Sequence, residues 1–549
     1  MFSSHLVFLE PDTASIDRSM ASDSNEVFGA LVVVAIASFV FIYLYAEARK
    51  RQRQPPGPWP WPVIGNFPAL GGLPHQSLAT LAAKYGGLMY LRLGSLPCIV
   101  ISTAKAAKEF YQTNDANFSA RPTRLAYTMF NYNEVNYKTL ALTSDVHHWR
   151  KLRRFFNTEL FSPGRYAAQQ TTRAAEIEHM IKLLVEDCKT TGDAVDVRAW
   201  LYGVTSNTMT AIFTGKRYFG TADAKMKIER ENLVKMNNAL FEIAGAMVIG
   251  DFVPYLSFID RLQGTRAKFQ KATDEAEKFT RKVFDLDKHR QQYEELKNDP
   301  SYVPNVAEVI LHTPLDDGHI PSDKDMLKIL QEFLNAGTET SATLAEWAMA
   351  ELITNPSLIK RAQTELDGAV HSHRLVEEAD LPNLPFLQAI LKETYRLHPP
   401  VPLLIPHQAN QATELQGYHL PAGTMALVNA WAIQRDPTVY TNPDTFDPER
   451  FLEHPEVNHL SASDYFELIP FGAGRRMCPG YNLGNTSSLL MLANLLYVFD
   501  WSLPDGKHTV DLSEHMGLTV GLKTALVLTA KPRFELDEAC PSPTAIHNP

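Results

Sequence analysis

Phe471-Gly-Ala-Gly-Arg-Arg-Met-Cys-Pro-Gly480 gathers the residues of this chain best suited to chemistry. It sets Cys478 behind a glycine-rich loop and ahead of a proline that suits the first turn of a following helix, where its missing N–H costs nothing. Tyr481 to Tyr497 then reads as a largely apolar, buried helix. Unpartnered amides at that helix start would point toward the sulfur and favour its thiolate. Phe471 opens the loop, and Gly472, Gly474 and Gly480 let backbone pass close to something flat and bulky. Arg476, two residues before the cysteine, can meet an anionic edge of that object. A thiolate, a close backbone and a cation together describe the proximal side of a haem, with Cys478 as the iron ligand.

A second constellation lies in a long helix. Ser322-Asp-Lys-Asp325 opens it as a variant capping box, apolar residues recur at helical spacing through Ile353, and Pro356 stops it. Its middle, Ala336-Gly-Thr-Glu-Thr-Ser341, is poor helix former, and local rule-breaking in a buried helix marks function. Ala336 and Gly337 permit close approach of a flat ligand. Thr340 can bond the backbone behind it and open the helix locally. Glu339 beside Thr340, an acid next to an alcohol, is what proton delivery requires. Elsewhere Glu393-Thr-Tyr-Arg396 sets opposite charges on one helix face. Trp149 and Arg153 stand one turn apart, and His407 follows Leu404-Ile-Pro.

With Pro448-Glu-Arg-Phe451, these motifs resemble those of the cytochrome P-450 superfamily across most of residues 55–532. The resemblance implies a single, mainly α domain with a small β-sheet portion, spanning 67–535, and haem b as cofactor. It implies that Glu393, Arg396 and Arg450 form a buried triad fixing the cysteine loop. Trp149, Arg153, Arg476 and His407 would serve the haem propionates. Glu339 and Thr340 would supply the protons that O2 reduction consumes, on the face opposite the thiolate. The cavity walls would come from the loop before Trp149, from 240–258, 330–336, 401–405 and 516–522. Val428 to Pro437 and Asp464 to Gly474 resemble plant A-type members, which include flavonoid 3′-hydroxylases. His147-His148 departs from the loop usual there.

The activity so implied is insertion of one oxygen atom of O2 into a small lipophilic substrate: a phenylpropanoid, flavonoid, terpenoid or alkaloid precursor. The chain carries no flavin or nicotinamide fingerprint. Electrons would therefore come from a separate NADPH-cytochrome P-450 reductase, with cytochrome b5 as a second donor, docking near Arg475 and Arg476. Two other readings are open. One is a haem-thiolate isomerase or dehydratase working without O2, against which the Glu339-Thr340 pair argues. The other is a non-catalytic haem-binding membrane protein.

The 549 residues, 45% hydrophobic, can bury a large core, and neither linkers nor repeats divide them. A net charge of −10 with no basic stripe argues against nucleic acid as partner. Four scattered cysteines fit a reducing compartment and no disulfide framework. Val27 to Tyr45 runs without a charge, behind an acidic leader (1–26) and ahead of Arg49-Lys-Arg-Gln-Arg53. That pattern predicts one transmembrane helix anchored in the endoplasmic reticulum membrane and its lipid, with the N-terminus lumenal and the catalytic domain cytosolic. A cleaved signal peptide is the alternative, disfavoured by the late position and the basic stop. A basic, proline-rich hinge (46–66) follows, and 536–549 form a tail.

Overall fold

The computed structural model describes residues 53–536 apart from 131–138, 191–193, 220–223, 301, 316–317, 372 and 462–464, together with Leu31, Val34, Ser38, Phe41 and Ile42. The chain divides into two units, 1–55 and 56–549. The expected anchor therefore lies largely outside the described residues, as does the tail beyond 536. The five single positions are helical, and Leu31, Val34, Phe41 and Ile42 are 61–69% exposed.

In the second unit the helices that position the site are α1 (Val146–Glu159), α2 (Val197–Thr214), α3 (Ala224–Gly245), α4 (Asp323–Thr354), α5 (Pro385–Leu397) and α6 (Tyr481–Val498). Helix α4 is the axis. Ser322 caps it, its hydroxyl accepting from the Asp325 amide at 3.3 Å, and Asn355 ends it just before Pro356. Nearly every residue from Asp325 to Ile353 is buried, because α2 and α6 pack on two of its sides. Helix α2 can be buried despite its threonines because Thr205, Thr208 and Thr214 donate to carbonyls one turn back, at 2.9, 2.8 and 2.7 Å. The weak central stretch of α4 does not open it; the helix runs unbroken through 336–341.

The sheet portion is small. Strands β1 (Leu88–Leu93), β2 (Leu96–Ile101), β3 (His407–Gln408) and β4 (Met425–Val428) form one sheet in the order β1-β2-β4-β3. The β2–β4 pair is parallel, so distant halves of the chain meet there. Strands β5 (Glu514–Met516) and β6 (Val520–Leu522) form a hairpin against α4, where Trp347 Nε1 donates to the Val520 carbonyl at 3.0 Å.

The proline-rich segment is not a free hinge over its whole length. From Pro56 onward it docks on β1: the Tyr90 amide donates to Pro56 O at 2.8 Å and the Asn66 amide to Arg92 O at 2.6 Å. Gly65, at φ +66°, would place a Cβ 2.0 Å from Arg92 O, so only glycine fits there. By length and composition, 228–252 could cross a membrane among the described residues. It comprises most of α3 and the turn after it, and Leu240, Phe241 and Ala244 line an interior cavity.

Candidate active site

The cysteine loop folds back on itself. The Cys478 amide donates to Phe471 O at 3.0 Å, the Met477 amide to Gly474 O at 3.1 Å, and the Gly472 amide to Ile469 O at 3.0 Å. Gly472 and Gly474 take φ of +70° and +67°. A Cβ on Gly474 would lie 2.5 Å from Asp115, which accepts from the Arg475 amide and Nε at 3.1 and 2.8 Å. Pro479 stands before the helix rather than in its first turn: Gly480 is the N-cap and α6 begins at Tyr481. Burial pushes the Cys478 thiol up, against the pull of the Gly480 amide and Arg153. Burial thus opposes the thiolate, and a bound metal ion would favour it.

Cys478 faces a cavity whose lining includes Trp149, Arg153, Ala336, Gly337, Thr340, His407, Phe471, Gly472, Arg476 and Gly480. Arg153 Nη1 donates to Met477 O at 2.7 Å, tying α1 to the cysteine loop. Arg476 donates to Ser119 O, Leu140 O and Thr143 O at 2.9, 3.2 and 2.8 Å, and its guanidinium lies 4.5 Å from the Trp149 ring centroid. It is therefore turned inward and absent from the outer face; of the expected docking pair, Arg475 is the more exposed, and it is paired with Asp115. His407 Nδ1 lies 2.8 Å from Phe118 O. His147 and His148 sit in the first turn of α1, their amides donating to Asp145. Gly337 has a packing duty as well, since a Cβ there would meet the Met209 sulfur of α2 at 2.5 Å.

A further cation, Arg121, lines the same wall. It donates to Ala141 O, Ile405 O and Pro406 O at 3.1, 2.7 and 2.9 Å. No local pattern around it signals a role, and two of these partners lie more than 280 positions away. Burial, reinforced by Arg121 and Arg153, pulls Arg476 down to about 8. Burial lowers Arg121 to about 10 and holds His407 well below its usual range. Glu332 is the one carboxylate among the lining residues. Crowded, buried cations lose by mutual repulsion what an entering anion would restore. These donors, the glycine cradle and the cavity-facing sulfur together fit a flat dianionic group with a thiophilic metal, which is haem.

Glu339 departs from the expectation. Its carboxylate accepts from Tyr202 Oη at 2.5 Å and Thr519 Oγ1 at 3.0 Å, and it is not a lining residue. Successive helix residues point about 100° apart, so Thr340 opens on the cavity while Glu339 faces α2 and the β5–β6 hairpin. Thr340 Oγ1 donates to Ala336 O at 2.8 Å. Burial pushes Glu339 up and, with the adjacent Glu339 charge, pushes Tyr202 well up, so the phenol remains the donor.

The triad residues meet. Arg396 forks onto Glu393 at 2.7 and 2.8 Å, both fully buried, and Arg450 Nε donates to the same carboxylate at 3.1 Å. The link onward to the cysteine loop is Gln434. Its carbonyl accepts from the Ile469 amide at 3.1 Å, its amide donates to Tyr395 O and Arg396 O, and its backbone oxygen accepts from Arg396.

The cytochrome P450 family model matches residues 55–529. Cytochrome P450 71A1 of Persea americana is 36% identical over 471 residues, 85% of this chain and 91% of that one. A flavonoid 3′,5′-hydroxylase of Eustoma exaltatum subsp. russellianum is 36% identical over 87% of this chain and 91% of its own. Dimethylnonatriene synthase of Zea mays is 37% identical over 86% and 90%. A zebra fish cytochrome P450 solved with progesterone superposes with a TM-score of 0.68 at 25% identity, covering 84% of this chain and 99% of that one. The chain belongs to the cytochrome P450 family, and is a P450 monooxygenase with the family's haem-thiolate cofactor.

Proposed function

We propose that this enzyme hydroxylates a small lipophilic plant specialised metabolite at the endoplasmic reticulum membrane, with electrons from NADPH through a separate reductase. The observation that carries the reading is the wall opposite Cys478. Leu240, Phe241, Ala244, Phe333, Val401, Ile405 and Leu518 make it apolar, and the Thr340 hydroxyl opens onto it. These residues come from four stretches, 240–258, 330–336, 401–405 and 516–522, and the loop before Trp149 adds Leu140, Ala141 and Leu142 to the cavity lining. The names of the flavonoid hydroxylases and of dimethylnonatriene synthase point to phenolic and terpenoid substrates.

When bound, the haem supplies electron transfer and O2 activation. The chain's own residues would hold it: Cys478 through sulfur, and Arg121, Trp149, Arg153, Arg476 and His407 as candidate partners of its carboxylates. Thr340 orders a water or substrate oxygen over the cavity floor, and Glu339 serves as a proton store behind α4, coupled to Tyr202. The reductase, or cytochrome b5, docks on the outer face of α1 and the adjoining loop, where Arg150, Arg154 and Arg475 are exposed. The deciding experiment gives the reconstituted enzyme flavonoids and terpenoids under 18O2. One labelled oxygen per product and strict NADPH dependence are expected. Turnover without O2 and NADPH would establish the rearrangement chemistry instead.

Thr340→Ala removes no iron ligand and improves helix propensity, so haem content and substrate-induced spin shift should survive. Product formation should fall by up to ~10²-fold, the low end for a proton-transfer group, because water partly replaces the hydroxyl. NADPH consumption should fall much less, with hydrogen peroxide making up the difference. An unchanged ratio of product to NADPH would leave Thr340 a helix residue only.

Membrane attachment rests on residues 27–45 and on one edge of the catalytic unit. There Trp59, Trp61 and Val63 are 45–64% exposed, and Tyr255, Phe258 and Leu262 are 54–81% exposed. The two segments are neighbours, since Phe67 packs on Phe252 with ring centroids 4.9 Å apart. Deleting residues 1–50 should move most of the protein to the soluble fraction with haem intact. A remainder should stay bound through this apolar edge. Full retention in the membrane pellet would show that 27–45 is not the principal anchor.

A further inference from the structure

We propose that Glu332 is a positioning residue that clamps the wall segment 139–143 across the cavity and thereby sets how fast ligands enter. The inference rests on the cavity above Cys478 being the haem and ligand site. Glu332 lies on α4 two turns before Thr340 and is 8% exposed. Its Oε2 accepts from the Leu140 amide and its Oε1 from the Ala141 amide, both at 2.8 Å. The opposite, carbonyl side of the same segment is held by the arginines: Leu140 O and Thr143 O by Arg476, and Ala141 O by Arg121. One short stretch of backbone is thus stitched to α4 by an acid and to the propionate-side cations by its oxygens. Leu140, Ala141 and Leu142 themselves line the cavity.

Without the carboxylate, two amides at a buried wall lose their acceptors while the arginines still pull on the other side. The segment would then swing from α4. Hydrogen bonds to a charged group are the strong kind, so losing two should shift the open population by ~10-fold or more. Burial pushes Glu332 up to about 7, against the two amides and the charge of Arg476. Around it, Arg121 remains cationic near neutral pH, His407 remains neutral, and Arg153 is committed to Met477 O. Lys328, one turn back on α4, lies 3.5 Å from Asp325. Protonation turns one Glu332 oxygen into a donor facing an amide donor. The Glu332 side of the clamp is therefore whole above about pH 7 and loosens below it.

The test uses the haem-loaded full chain with Glu332→Gln and Glu332→Ala. The probes are carbon monoxide rebinding after flash photolysis and 4-phenylimidazole binding, neither of which needs the natural substrate. Both variants should keep the thiolate-type carbonyl spectrum. Entry rates should rise ~10-fold or more in the alanine variant and less in the glutamine variant, which retains one acceptor. Wild-type carbon monoxide entry should quicken as pH falls through about 7, and the glutamine variant should lose that step. Unchanged rates, a rate change with wild-type pH dependence retained, or loss of the carbonyl spectrum in both variants would each overturn the clamp. A wild-type protein lacking that spectrum would instead overturn the reading of the cavity.

Discussion

Cys478→Ser should yield a folded protein without monooxygenase activity, and without the red-shifted Soret band that thiolate ligation gives the ferrous carbonyl complex. The substitution is nearly isosteric, and the 3.0 Å bond from the residue 478 amide to Phe471 O does not involve the side chain. The loop's other fixings, at Asp115 and Met477 O, are equally untouched. What changes is the donor. An alcohol is far harder to deprotonate than a thiol, and neither Arg153 nor the Gly480 amide compensates for burial that already pushes the native thiol up. The measurements are haem content, the carbonyl difference spectrum and product formation. A retained red-shifted band in the serine variant would refute ligation by Cys478.

The part of this site readable from sequence is the part built from local pattern. The N-cap at Ser322, the stop at Pro356 and the cysteine loop each have a short-range physical reason, and each element begins or turns near the predicted place. Other placements depend on packing and long-range contacts. Glu339 and Thr340 are neighbours in sequence, but a rotation of about 100° per residue parts them, and only the packing of α2 and β6 fixes which one meets the cavity. Pro479 falls two residues before the first helical residue, Tyr481, because Gly480 takes the N-cap. Arg121, Gln434 and Glu332 were invisible because their partners are backbone groups far away in sequence: Arg121 holds Ile405 O, Gln434 holds Ile469, and Glu332 holds Leu140. Backbone carbonyls and amides leave no mark on residue type, so no pattern search finds such contacts.

Glu393→Ala should cost the fold more than any other single change proposed for the scaffold. The carboxylate accepts from Arg396 twice, from Arg450 Nε and from the Asp447 amide, the last at 2.8 Å, in a fully buried setting. Removing it leaves the Arg396 guanidinium buried at 0% exposure with the carbonyl oxygens of Gln434, Pro443 and Thr445 and the Tyr440 ring around it, and no counter-charge of its own. Breaking a buried pair from one side costs ~3–5 kcal/mol, against a total stability of ~5–15 kcal/mol for a typical domain. The damage should travel by a named route. A displaced Arg396 frees Gln434, Gln434 frees the Ile469 amide, and the cysteine loop loses the anchor two residues before Phe471. The variant should therefore accumulate poorly, bind little haem and unfold at markedly lower denaturant. Glu393→Gln, which keeps the acceptor geometry on one oxygen, should be intermediate. Arg450→Ala should be mildest, because Arg450 is the partly exposed member and Glu393 keeps its other partners. The order of haem content among the three variants is the measurement. Equal, wild-type haem content in Glu393→Ala would mean that the loop is held by Asp115 and Arg153 alone, and that the triad stabilises only its own helix.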